Sequence, residues 1–269
     1  MKEIVEDIYN NLKAEFKGRE RNDLYFHVSD LPTICPRAVY YSRKTNMPFR
    51  KSPVYAKPVM LAYAYGILIQ HFFSRYSSYL ISKWRCPKCK SVYYLSYRDW
   101  NRIPCKHLVQ EDYRLELSNK KFKLVGNIDA LYKDPTGIYI AEIKSINARQ
   151  FDDLQEPLFD HVFQVLTYLW MFKRKKVKLD EGLQKFHIRK DKAVVLYFKK
   201  DFQNLQIKPF FVDKNEYSIE NRIKELLMHL FNPTKDSPKI CNSRLSPPAR
   251  KCVFRSICFK EDKNESKEK

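Results

Sequence analysis

Three side chains in one short stretch could hold a divalent cation and handle a phosphodiester: Asp129, Glu142 and Lys144. The stretch, Leu124 to Ser145, predicts a β-hairpin. Two apolar, β-branched runs flank Asp134-Pro135-Thr136-Gly137, where proline presets φ and glycine allows a positive φ. Side chains alternate along a strand, so Glu142 and Lys144 share one face while Ala141 and Ile143 turn away. Asp129, on the preceding run, can lie beside them. Converging carboxylates raise each other's pKa, and a divalent metal removes that penalty. Mg²⁺ is typically held by one or two carboxylates plus substrate phosphates. Such a metal can activate water and stabilise a leaving oxygen, with a lysine to neutralise developing charge. A solvated hairpin face with an ordinary ion pair would use the same residues, and the hairpin alone leaves both readings open.

The elements around the hairpin add to it. Residues 60–84 predict a long helix bearing Gly66 and His71, and residues 158–174 predict another in which Gln164 and Tyr168, four apart, share a face. In order, Gly126-Asn-Ile-Asp129, Ala141-Glu-Ile-Lys144 and Gln164-Val-Leu-Thr-Tyr168 resemble the signature of the PD-(D/E)XK nucleases in their RecB form. That resemblance implies a restriction-endonuclease-like α/β core, a central mixed sheet flanked by helices. It implies Asp129 and Glu142 as ligands of Mg or Mn, Lys144 as a catalytic residue, and Gln164 and Tyr168 lining the DNA-facing site. In RecB-type nucleases a histidine following a glycine on such a helix completes the metal site, and Gly66-x4-His71 is similar to that pattern.

Seven cysteines in a chain expected to be cytoplasmic argue for metal rather than disulfides. Cys86-Pro-Lys-Cys89 followed by Cys105-Lys-His107 reads as a zinc site, two thiolates in one tight turn completed by a second pair. The last pair departs from the usual spacing, being Cys-x-His, and the aromatic segment between predicts a small ribbon. The remaining four are Cys35, Cys241, Cys252 and Cys258. Cys35-Pro-Arg, preceded by Ser29-Asp-Leu and followed by Tyr40-Tyr41, resembles the opening of the CRISPR-associated RecB-like exonucleases, the Cas-four family. Cys252-x5-Cys258 resembles the end of that family's cluster motif. The resemblance implies these four as ligands of a 4Fe-4S cluster, with a Cys₄ zinc as the alternative. Cys241 departs from it: ten residues separate it from Cys252, where the family has two.

The 269 residues suffice for a sizeable core, as one domain with insertions or as two small ones. The organisation expected is an N-terminal helical region (1–85) with Cys35, a zinc-binding insertion (86–107), a nuclease core (108–213), a C-terminal helix and iron–sulfur lobe (214–260) and a disordered tail (261–269). An amphipathic helix is expected over 2–18, from Ile4, Val5, Ile8, Leu12 and Phe16, and a short helix capped by Ser29 or Asp30. Residues 192–200 and 210–212 predict strands, and 218–231 an amphipathic helix. No apolar run reaches the roughly 18 residues of a membrane span. A net charge of +20 favours a polyanionic partner, most simply nucleic acid. The expected activity is a metal-dependent DNA exonuclease acting on single strands or ends. The resemblance implies a place in CRISPR spacer acquisition beside integration proteins, with recombination or repair equally compatible. The competing class is a DNA-binding or adaptor protein that keeps the scaffold without the chemistry.

Overall fold

The computed structural model describes residues 2–17, 25–48, 57–105, 107–118, 123–201, 205–217 and 219–265. Among these residues the helices are α1 (Lys2–Lys17), α2 (Pro36–Thr45), α3 (Lys57–Tyr76), α4 (Ala148–Asp153), α5 (Phe159–Phe172), α6 (Glu181–Lys185), α7 (Glu220–Phe231), α8 (Pro247–Lys251) and α9 (Arg255–Glu265). The strands are β1 (Tyr25–His27), β2 (Leu80–Arg85), β3 (Val92–Leu95), β4 (Val109–Glu111), β5 (Tyr113–Ser118), β6 (Lys123–Ile128), β7 (Ala130–Asp134), β8 (Gly137–Asn147), β9 (Val177–Leu179), β10 (Ile188–Lys200) and β11 (Ile207–Asp213).

They form two mixed sheets. One has the order β1-β6-β5-β9; the other has the order β11-β10-β8-β7-β2-β3, with β4 also paired to β2. β8 and β10 run parallel at the centre of the larger sheet, so the chain must cross over between them, and it does so through α4 and α5. Ala193 to Phe198 of β10 are all buried, as expected for a strand covered on both faces. α5 is apolar nearly all round: ten of its fourteen residues are buried, eight of them in the core cluster that also takes in both sheets. The opposite face of the larger sheet, with Ala141, Ile143, Val194, Leu196 and Phe198, is covered by α3 through Phe73.

The expected hairpin forms over residues 130–147, and its turn is built as anticipated. Asp134 accepts from the N–H groups of Thr136 and Gly137, and Gly137 has φ +153°. The run before it does not belong to that hairpin. β6 pairs with β1 and β5 in the smaller sheet, and the chain changes sheets at Asp129. The long helix ends at Tyr76, because Leu80–Arg85 is drawn into β2 against β7. Ser29 and Asp30 lie inside a 3-10 turn, Val28–Thr33, and do not cap a helix. Cys35 occupies the N-cap of α2, with Pro36 at its first position. α9 continues to Glu265, past the Glu261 boundary expected for a disordered tail. Residues 266–269 of that tail, Ser218, and the side chains of Val5 and Phe16 lie outside the described residues.

Candidate active site and cysteine groups

The change of sheet at Asp129 creates the site. β7 pairs with β8 only as far as Ala130 opposite Ala141. Just beyond, the Asp129 carboxylate takes over the ladder: its Oδ2 accepts from the Ile143 N–H at 2.7 Å. Asp129 is thereby fixed beside Glu142, the next residue back along β8. Glu142 shares its face with Lys144, whose Nζ lies 2.7 Å from Glu142 Oε1. On α5, Gln164 donates to the same Oε1 at 2.8 Å and also contacts Tyr168 Oη at 2.7 Å. Tyr168 donates in turn to the carbonyl of Asn127, at 2.8 Å. Gln164 and Tyr168 are polar exceptions on a core helix, and each is satisfied within this network.

Gly126 belongs to the same construction. A Cβ there would stand 2.8 Å from the Tyr168 ring, closer than real Cβ contacts. The glycine of Gly126-Asn-Ile-Asp129 is therefore the surface on which Tyr168 packs.

These groups line a cleft of about 550 Å³, with Tyr63, Gly66 and Gln70 of α3 on one wall and Lys200 at the edge. Burial pushes the Asp129 carboxyl well above its ordinary value, and the charges of Glu142 and Asp112 add to the shift. Burial alone would lower the Lys144 pKa, but Glu142 and Asp129 outweigh it and the net shift is upward. Partial burial, with the nearby charge of Lys144 adding to it, lowers His161 to about 4; its Nδ1 lies 2.7 Å from Tyr197 Oη.

Whether a divalent cation fits can be judged from Glu142. Its Oε1 carries both Gln164 and Lys144, whereas its buried Oε2 has no hydrogen-bond partner. A bare carboxylate oxygen beside a second, mutually repelling carboxylate suits an oxygen-seeking dication. Asp129 and Glu142 are the residues that would hold it.

His71 is not brought into this site. The cleft is lined by Ala62, Gly66 and Gln70 of α3; His71 follows Gln70 by about 100° around the helix and is exposed. Gln70 takes the inward place. Its Nε2 lies 3.2 Å from Asp129 Oδ1 and 3.2 Å from Asp112 Oδ1. Asp112, between β4 and β5, and Gln70 are the residues the sequence reading missed. No local spacing marks them, since 42 residues separate them.

The cysteines fall into two groups. Cys86, Cys89 and Cys105 offer sulfurs all within 4.8 Å of one another; His107 is exposed and outside that group. In the other group, Cys35, Cys252 and Cys258 meet around Tyr41 and Phe254, and Cys35 and Cys252 both raise the pKa of Cys241 after its burial. The aromatic segment expected as a small ribbon is instead one strand, β3, followed by a 3-10 turn, Tyr97–Arg102; β3 and β4 each pair with β2 as strands of the larger sheet, because β2 offers an edge on either side.

The family model of the PD-(D/E)XK nuclease superfamily matches residues 60–259, most of the chain. The chain belongs to the PD-(D/E)XK nuclease superfamily. Membership implies a nuclease-type hydrolase acting on DNA, and enzymes of the superfamily usually use Mg or Mn. The superfamily match spans the cleft residues from Gln70 to Tyr168 and both sets of cysteines except Cys35. Among solved structures, the crystal structure of SSO0001 is similar over 95% of each chain, at 16% identity and a TM-score of 0.44. Comparison with curated proteins finds no match. No helix among the described residues is long and apolar enough to cross a membrane.

Proposed function

We propose that this chain is a metal-dependent deoxyribonuclease of the RecB and Cas-four kind, acting on single-stranded DNA or on DNA ends. The observation that carries the reading is Glu142, whose one oxygen is saturated by Gln164 and Lys144 while the other is bare beside Asp129. A Mg²⁺ or Mn²⁺ ion held by Asp129 and Glu142 would supply charge neutralisation and a polarised phosphodiester. The side chains do the rest. Lys144, charged because its two carboxylate neighbours outweigh its burial, faces the anionic charge that develops during cleavage. Gln164 fixes the rotamer of Glu142, and Tyr168 fixes Gln164. Gln70, shared between Asp129 and Asp112, orients the first carboxylate and brings a third to the rim. His161, kept neutral, adds no competing positive charge beside Lys144.

Cys35 and the three cysteines of the C-terminal lobe, Cys241, Cys252 and Cys258, are assigned to an iron–sulfur cluster, as the Cas-four resemblance implies. Their chemistry fits: Cys35, Cys252 and Cys258 pack around Tyr41 and Phe254, and Cys241 lies near enough to feel Cys35 and Cys252. CRISPR spacer acquisition is the role this kinship suggests, with integration proteins as partners.

The test is cleavage of end-labelled single and double strands. Degradation is expected with Mn²⁺ or Mg²⁺ and none with EDTA. Binding of DNA without cleavage under every metal condition would leave the adaptor reading in its place.

A further inference from the structure

We infer that Cys86, Cys89 and Cys105 form a structural zinc site that ties the β2–β3 loop to the segment leading into β4, distinct from the metal ligands of the nuclease cleft and from the C-terminal cysteines. The sulfurs already have the spacing that one ion imposes. With Zn–S bonds of about 2.3 Å, tetrahedral geometry separates sulfurs by about 3.8 Å. Cys89 and Cys105 lie 3.4 Å apart, sixteen residues distant in sequence, and all three sulfurs fall within 4.8 Å. None is in a disulfide. Three thiols this close repel as thiolates and gain little from one another as thiols, whereas soft thiolates bind zinc tightly.

The backbone is shaped for the task. Cys86 to Ser91 form a tight loop between β2 and β3, closed by Lys90 N–H to the Cys86 carbonyl and Cys86 N–H to the Ser91 carbonyl, each 2.9 Å. Lys90 takes φ +63°, one of two non-glycine residues with positive φ among the described residues. A lysine in that region is strained, and the strain persists only where surroundings impose it. Here it turns the chain out of the Cys86–Cys89 loop and into β3. Ser91 Oγ lies 3.3 Å from Cys89 Sγ, and Tyr93 Oη lies 3.3 Å from Cys105 Sγ, so the sulfurs are supported from outside.

The segment also needs a staple. The turn Tyr97–Arg102 contributes no buried residue, and β3 buries only Leu95. Beyond the packing of Trp100 on Trp84 and Arg75, a metal would supply the folding energy that so small a core does not. Beyond Cys105 the chain enters β4, where Gln110 donates to Ser74 of α3 at 2.7 Å, and then reaches Asp112 in the cleft. Zinc at the three thiolates thus holds the strand that delivers Asp112.

Metal analysis of the full chain tests this. Cys89 is exposed, so Cys89→Ser removes a ligand with little effect on packing. The wild type is expected to retain zinc through dialysis, and Cys89→Ser to carry about one zinc fewer per chain with unchanged iron. Limited trypsin digestion reads the turn between β3 and Cys105: Arg98 and Arg102 should resist cleavage in the wild type and be cut in Cys89→Ser while the core survives. Equal zinc content in wild type and variant, or loss of iron in the variant, would overturn the assignment. Since iron and zinc are counted in the same sample, failure here is distinguishable from failure of the nuclease assay.

Discussion

At the residue scale, the two carboxylates of the cleft behave differently because their surroundings differ. Glu142 is held by two donors on one oxygen, while Asp129 takes one backbone N–H, shares Gln70 and is pushed upward by burial and by Glu142. A carboxyl whose folded pKa is raised keeps its proton at pH values where the unfolded chain has lost it. The metal-free protein therefore loses stability as pH rises from the ordinary carboxylate range through the pKa of Asp129. A divalent ion reverses this, since it binds the deprotonated pair. Thermal melts in EDTA and in Mn²⁺ across that pH range should diverge as pH rises, with the Mn²⁺ increment growing. An increment independent of pH would separate Asp129 from the metal. Glu142, Lys144 and the Gln164–Tyr168 pair could be read from spacing, because period two and period 3.6 place them on shared faces. Gln70 could not, because its inward position is set by how α3 rotates against β8, a tertiary fact that moves His71 outward.

At the element scale, two glycines make opposite predictions. Gly126 in β6 is in contact with Tyr168, so Gly126→Ala forces the ring away from it. It should destabilise by about 1–3 kcal/mol, as overpacking does, and lower cleavage by displacing Gln164. Gly66 inside α3 meets only Ser145 Oγ, at 3.6 Å. Gly66→Ala should be tolerated sterically and stabilise by up to about 1 kcal/mol through helix propensity. Chemical denaturation of both variants checks the pair. Such contacts explain what the sequence concealed about the elements. β8, β10, α5 and α7 were legible because each carries its own apolar period or run. The partition of Leu124–Asp134 between two sheets was not, since β6 and β7 are both apolar and alternate alike. Only their partners, β5 for one and β8 for the other, tell them apart.

At the scale of the whole molecule, the region around α2 is joined to the C-terminal region. α2 follows Cys35, and Arg43 on it donates to the carbonyls of Leu230 and Phe231, closing the C-terminus of α7. Arg37 adds a bond to the Ser237 carbonyl at 2.9 Å. The lobe bearing Cys241, Cys252 and Cys258 is thus docked on α2 by protein contacts as well as by any cluster. Anaerobically purified protein should be brown with about four irons per chain. Cys252→Ser should lose the iron and loosen the lobe without unfolding the two sheets. Colourless protein with a second zinc would reassign the lobe. The net charge of +20 acts over the same scale: DNA binding should weaken steeply with added salt, as phosphate contacts are exchanged for counterions.

The cleft around Asp129, Glu142 and Lys144 is the place where DNA is proposed to be cut. The most direct test is a labelled single strand offered with Mn²⁺ to the wild type, Glu142→Gln and Lys144→Ala, with DNA binding measured on the same preparations. Both variants are predicted to bind as the wild type does and to cleave at least about 10²-fold more slowly, the scale of losing one charge-stabilising group. Cleavage by Lys144→Ala at the wild-type rate would contradict the account.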